Sequence, residues 1–267
     1  MERHLKLTIA GHGSIGHYIE DLFAPLHSIN IYDPPLGFNE PDTLVDTDFV
    51  LICAPTPSNE DGSCNTTIVE QIVDLANPRK AIVCTSTVAI GTTDKLINRT
   101  GKPIVFAPEY AGETSEHPLR NPVNRDFLIF GGYGSPVDEA SSLFENAYCE
   151  AGAKVNVLKT KPIQAEITKY MENSFLATKV AFVNEFYDLC TLVGADFDEV
   201  RDLWLQDSRV GESHTVVTEE RGFGGKCLPK DTNAVAATGR RLGQPLEIME
   251  AVINANKSHK SRGGRYS

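Results

Sequence analysis

Seven short apolar runs, LKLTIAG, SINIYD, FVLICAP, KAIVCTS, PIVFAPE, DFLIFGG and AKVNVL, recur through the first 158 residues, each followed by a turn signal or a polar helical stretch. Strands written in unbroken Val, Ile, Leu and Phe are buried on both faces, so the pattern predicts an α/β domain over 1–158: a doubly wound, mainly parallel sheet covered by helices. From residue 161 onward the strand signals stop. Ile163, Ile167, Tyr170, Met171, Phe175, Val180 and Phe182 approximate helical spacing, and Gly194 reads as a helix C-cap. An all-helical second domain over 159–256 is expected, then a basic tail over 257–267, with Lys257, Lys260, Arg262 and Arg265, expected to be mobile. At ~150 residues per domain, a chain of 267 residues suits this division.

The first run leads into TIAGHGSIG, where Gly11, Gly13 and Gly16 fit GxGxxG, with Ser14 and Ile15 between the last two glycines. The glycines permit a tight turn and let backbone approach a pyrophosphate, whose charge the N-terminus of the next helix favours. Asp33 closes the second run, 22 residues after Gly11. A carboxylate there accepts hydrogen bonds from the adenosine ribose hydroxyls and repels a 2′-phosphate, so NAD is expected rather than NADP. The first domain is then Rossmann-like. The competing reading, a glycine turn in an unrelated α/β protein, gives no reason for the strand before the glycines or the acid after them.

CAPTP, TSTV and APEYAGE stand where the third, fourth and fifth runs end. Ligands of open α/β sheets bind outside those carboxyl ends, which brings forward Pro55, Thr56, Thr87, Glu109 and Glu113 as cofactor or substrate contacts. Taken singly, the prolines punctuate loops and the glutamates are solvated, and it is their joint placement that argues for a site. In AEITKYMENS, Lys169 and Asn173 are four apart and share one helix face. They offer a positive charge and an amide to a single site, or else form a plain surface pair.

The remaining chemistry is in GFGGKCLPKD, residues 222–231. Cys227 follows a glycine-rich turn and precedes Lys230 and Asp231, a polar setting of the kind that houses a reactive thiol. Lys226, Lys230 and a helix start after Pro229 would all favour thiolate. Cys53, Cys84 and Cys190 read instead as small buried apolar side chains. The six cysteines show neither a CxxC pair nor regular spacing, which argues against a disulfide framework or zinc site and for a reducing cytoplasm. A formal charge of -11 argues against nucleic-acid binding, and no apolar run reaches the ~18 residues of a membrane span.

Taken in order, GHGSIG, APTP, STVAIGTT, APEYAGE, AEITKYMENSFLATKVAFVNE and GFGGKCLPKD resemble the UDP-glucose/GDP-mannose dehydrogenase family, the nucleotide-sugar 6-dehydrogenases, from residue 7 to about residue 256. The resemblance implies a four-electron oxidation of a sugar primary alcohol to a carboxylate, with two NAD reduced in succession. It implies Cys227 as the nucleophile that holds a thiohemiacetal and then a thioester. Lys169 and Asn173 match the pair that stabilises the oxyanion, and Asp231 the carboxylate that supports Cys227 and the water chemistry. Thr87, Glu109 and Glu113 match residues associated with the bound water, the substrate loop and the nicotinamide side. Arg209 matches an arginine of the substrate phosphate region, and Gly224 stands with it as a substrate contact.

Family members are usually longer, with a third, C-terminal domain that holds much of the substrate nucleotide, so on this reading the chain is a short form lacking that domain. Lys226 stands where a small residue is usual, and the loop VGESHTVVTEERGFGGK is longer and more acidic than the family pattern. The expected substrate is a UDP- or GDP-sugar held by fewer contacts, or a smaller sugar. Two rivals stay open: a two-electron NAD-dependent hydroxyacid-type dehydrogenase, and a non-catalytic NAD-binding module that pairs with a full-length enzyme. The apolar helix after Lys169 carries more hydrophobic surface than a small domain covers, which points to a homodimer.

Overall fold

The structure, a computed structural model, describes residues 4–112 and 117–263. Contacts divide the chain into two compact units, residues 1–57 with 65–169, and residues 58–64 with 170–267.

In the first unit, β1 (Lys6–Ala10), β2 (Ser28–Tyr32), β3 (Phe49–Ile52), β4 (Ala81–Cys84), β5 (Ile104–Phe106), β6 (Phe127–Gly131) and β7 (Asn156–Thr160) form one sheet. Each of the seven apolar runs falls on one of these strands, but β7 starts three residues into AKVNVL and, at the sheet edge, is mostly exposed rather than buried on both faces. Their order is β2-β1-β3-β4-β5-β6-β7, and every neighbouring pair is parallel except β5 and β6, which meet antiparallel at Phe106 and Gly131. Helices α1 (Ser14–Phe23), α2 (Thr67–Leu75), α3 (Thr92–Thr100) and α4 (Gly134–Glu150) connect the strands. Strand β3 shows why the runs are continuous. Its side chains alternate, Phe49 and Leu51 entering a cluster with Ile19, Phe23 and Phe144, and Val50 and Ile52 entering a second cluster with Val69, Val73 and Leu96. A central strand with a core on each face needs four apolar residues in succession.

The second unit is helical: most of α5 (Pro162–Val193), then α6 (Phe197–Trp204), α7 (Cys227–Arg241) and α8 (Glu247–Lys260). Gly194 follows α5 with φ of +73°, the left-handed cap expected of it. Residues 58–64 belong here: a Ser58–Cys64 bridge closes the segment on itself, and Arg240 of α7 donates to the Asp61 carbonyl at 3.1 Å.

Helix α5 is laid with its polar side in. Of the apolar positions counted in the sequence, Tyr170 and Val180 are buried, whereas Ile163, Ile167, Met171, Phe175 and Phe182 are exposed. Glu166, Lys169, Asn173, Ser174 and Asn184 are buried instead, beside Ala165, Ala177 and Ala181. The basic tail also needs correction. Helix α8 runs on to Lys260, with acids in its first turn and Lys257, His259 and Lys260 in its last, the charge order a helix dipole favours. His259 is buried, and Arg262 pairs with Asp188 of α5 at 2.6 Å, so this stretch is held rather than mobile; Arg265 lies outside the described residues. Among the described residues no helix is long and apolar enough to cross a membrane.

Candidate functional site

Strand β1 delivers the chain to Gly11, where φ is +99° and a Cβ would lie 2.7 Å from the backbone of Cys53 and Ala54. At Gly16 a Cβ would strike the Gly11 carbonyl. These two glycines let α1 start hard against the strands. Gly13 differs: a Cβ there would meet no atom within 4 Å, so this position faces open space of the kind a pyrophosphate cradle needs. At the end of β2, Asp33 accepts the His12 backbone N–H at 2.7 Å, which fixes the acid to the glycine turn. An open glycine, a helix N-terminus beginning at Ser14 and an anchored carboxylate together fit a dinucleotide. Arg120 joins them without any local sequence signal. Its guanidinium donates to the Ser14 hydroxyl at 2.9 Å, the Ser14 carbonyl at 3.0 Å and the Gly112 carbonyl at 3.0 Å, and so brings a fixed positive charge to the start of α1.

The ends of β3 and β4 are tied by the Thr56 hydroxyl, which donates to the Thr87 carbonyl at 2.7 Å, and Pro55 is exposed on the same loop. Glu113 lies outside the described residues. Glu109 is held on several sides: its Oε1 accepts the Tyr110 and Ala111 backbone N–H groups, each at 2.7 Å, and a buried ion pair with Arg125. The Tyr148 hydroxyl donates to its other oxygen at 3.4 Å. Arg125, not singled out in the sequence, therefore anchors the loop after β5. Lys169 lies with Nζ 4.0 Å from the centre of the Tyr110 ring, a cation–π contact. Burial, and then the Lys169 charge, hold the His117 imidazole below its usual value. One turn earlier, Glu166 accepts the N–H groups of Gly91 at 2.5 Å and Thr93 at 2.9 Å and the Thr93 hydroxyl at 2.7 Å. It caps α3 from within, and burial pushes its acid up.

In the second unit the cysteine turn is built around α8. Gly222 and Gly225 take φ of +61° and +72°, and a Cβ on Gly222 would collide with the Asn256 side chain. Asn256 accepts the Phe223 N–H at 2.7 Å and donates to the Phe223 carbonyl at 3.1 Å, while the Phe223 ring is buried. Arg221, itself at a positive φ of 54°, bonds Asn184 at 2.8 Å and Asp188 at 2.6 Å. Thus clamped, the turn releases the chain into α7, whose first residue is Cys227, ahead of the start expected after Pro229. Cys227 is exposed. In contrast, burial pushes the Cys53 thiol up to about 12. One turn beyond Cys227, Asp231 is only 1% exposed, with Oδ1 accepting Lys230 Nζ at 2.6 Å and Oδ2 accepting Asn173 Nδ2 at 2.5 Å. Lys230 is thus directed at Asp231. Arg209 pairs on the surface with Asp207 at 2.5 Å, and a Cβ on Gly224 would come 3.1 Å from Lys260 Nζ.

A sheet of this order, a glycine turn opening α1 and an acid closing β2 define a Rossmann-like NAD-binding domain. The models of the UDP-glucose/GDP-mannose dehydrogenase family match residues 10–145 with its NAD binding domain and residues 163–258 with its central domain, and the chain belongs to this family. UDP-glucose 6-dehydrogenase TuaD of Bacillus subtilis is 32% identical over 269 residues, covering 96% of this chain and 56% of that protein. A UDP-glucose 6-dehydrogenase of Pseudomonas aeruginosa is 30% identical, covering 81% and 50%. The chain spans about half the length of the curated relatives it matches. A UDP-glucose dehydrogenase from Pyrobaculum islandicum superposes with a TM-score of 0.83 at 25% identity, over 96% of this chain and 68% of the other. The fold is also shared with Mycobacterium tuberculosis 3-hydroxyisobutyrate dehydrogenase, TM-score 0.72 at 15% identity over 96% and 94%.

Proposed function

We propose that the chain oxidises the primary alcohol of a UDP- or GDP-sugar to the carboxylate in two NAD-dependent steps through Cys227. The supporting observation is an exposed thiol at the first position of α7, one turn from a buried Asp231 held by Lys230 and Asn173. A helix N-terminus favours a thiolate, the nucleophilic form of sulfur.

NAD, when bound at the Gly11–Gly16 turn and Asp33, accepts the hydride of each oxidation. The protein's own residues do the rest. Loss of a hydride and a proton turns the alcohol into an aldehyde. Cys227 Sγ adds to its carbonyl carbon, and the new alkoxide is stabilised by the Lys169 ammonium and the Asn173 amide. Removal of a second hydride leaves a thioester, and water then breaks the C–S bond, giving the carboxylate and returning the thiol. Asp231 orients Asn173 and supports the water step. By the family resemblance Thr87, Glu109 and Glu113 are assigned to the bound water, the substrate loop and the nicotinamide side, and Arg209 and Gly224 to the substrate. The exposed apolar residues of α5 support a homodimer, and free cysteines suit a reducing cytoplasm.

A two-electron hydroxyacid reading draws on the fold shared with 3-hydroxyisobutyrate dehydrogenase but leaves Cys227 without work. The test is NADH production against a panel of UDP-, GDP- and ADP-sugars. Two NADH and one acid per sugar are expected. One NADH favours the hydroxyacid reading, and no turnover across the panel favours a binding module.

A further inference from the structure

Three side chains that the proposed chemistry does not use converge at the start of α1. His12 comes from the glycine turn, and His17 and Glu20 lie three apart on one face of the helix. His12 Nε2 is 2.7 Å from Glu20 Oε2, and His17 Nδ1 is 3.8 Å from the same oxygen. The two imidazoles are 3.9 Å apart between ring centres. Among the described residues this is the one group of three His, Cys, Asp or Glu side chains whose ligand atoms converge, all within 4.8 Å.

We propose that His12, His17 and Glu20 bind one borderline divalent transition ion of the Zn²⁺ class. Around such an ion, nitrogen and oxygen ligands lie at about 2.0–2.2 Å, which places neighbouring ligand atoms roughly 3–3.6 Å apart. The two distances to Glu20 Oε2, 2.7 and 3.8 Å, bracket that spacing, and with all the ligand atoms within 4.8 Å of one another side-chain rotation closes what gap remains between the two imidazoles. Two imidazoles and one carboxylate suit Zn²⁺, Co²⁺ or Ni²⁺, whereas Mg²⁺ and Ca²⁺ take oxygen ligands. His12 is the fixed member, since its backbone N–H is held by Asp33. His17, with a side chain 57% exposed, is the member through which an ion enters. Three protein ligands leave a position for water, and the ion takes the place of the hydrogen bond between His12 and Glu20.

The test uses tag-free chain carrying Cys149→Ser and Cys227→Ser, because both thiols are exposed and would compete for the ion. Zn²⁺ is titrated by calorimetry, and Co²⁺ by its visible absorption. One equivalent is expected to bind, and His17→Ala and Glu20→Gln are each expected to lower affinity by about tenfold or more, with unchanged circular dichroism. Absence of saturable binding at one equivalent, or an affinity that either substitution leaves unchanged, overturns the proposal.

Discussion

Asn173 of α5 donates to Asp231 of α7 at 2.5 Å, joining side chains 58 positions apart in a buried pair. The same carboxylate accepts from Lys230, so one acid orients both an amide and an ammonium. Removing it strips a buried amide and a cation of their shared acceptor. Asp231→Ala is expected to cost about 3 kcal/mol or more, measured by urea denaturation, and Asp231→Asn less, because it keeps an oxygen there. Equal losses in the two variants would show that the charge, rather than the hydrogen bonds, is what matters.

The thiol assignment separates binding from turnover. Cys227→Ser is expected to leave the dissociation constant for NAD within about twofold and to abolish acid formation, since an alcohol oxygen is far less nucleophilic than a thiolate. Acid produced by this variant at the wild-type rate removes the thioester route.

Two glycines of the same turn predict opposite outcomes. Gly11→Ala forces a side chain onto the Cys53 and Ala54 backbone at positive φ, and its melting temperature is expected to fall by an amount equivalent to more than ~2 kcal/mol. Gly13→Ala meets open space at φ of -83°, so stability should fall by no more than about 1 kcal/mol while NAD affinity drops. Titration calorimetry and thermal melts of both variants decide this.

Burial holds the His259 imidazole below its ordinary 6.5, with Asp188 opposing the shift. Below 6.5 the unfolded chain therefore binds more proton at this position than the folded one, and stability falls as the pH is lowered through that window. His259→Leu is expected to flatten the fall in melting temperature between about pH 7 and pH 5. A slope identical to wild type would assign the acid sensitivity elsewhere.

The outward apolar side of α5 predicts assembly. Light scattering is expected to give twice the 29.2 kDa of one chain, and Phe175→Asp with Leu192→Asp to give the single-chain mass. A wild-type chain that already scatters as a monomer would refute the dimer.

The strands were legible because a layer with a core on each face leaves an unmistakable trace: no polar residue interrupts Phe49–Ile52. Strand direction left none, so the antiparallel meeting of β5 and β6 could not be read from DFLIFGG. For α5 the spacing was readable and the orientation was not. Periodicity marks which residues share a face, but only partners far along the chain decide whether Phe175 or Asn173 turns inward. The same holds for Arg120 and Arg125, whose acceptors at Ser14 and Glu109 are set by tertiary folding. Cys227 and Asp231 stand out in the sequence because the glycines and charges that mark them are local, whereas the clamp beneath them leaves no such mark.

That clamp sets a limit on dissection. Asn256 fastens Phe223 from the second half of α8, so a fragment cut anywhere before it would carry the Cys227 thiol on an unfastened leash. Domain boundaries drawn for expression, or for grafting this thiol onto another scaffold, must therefore include α8 even though no residue of that helix is assigned to the chemistry.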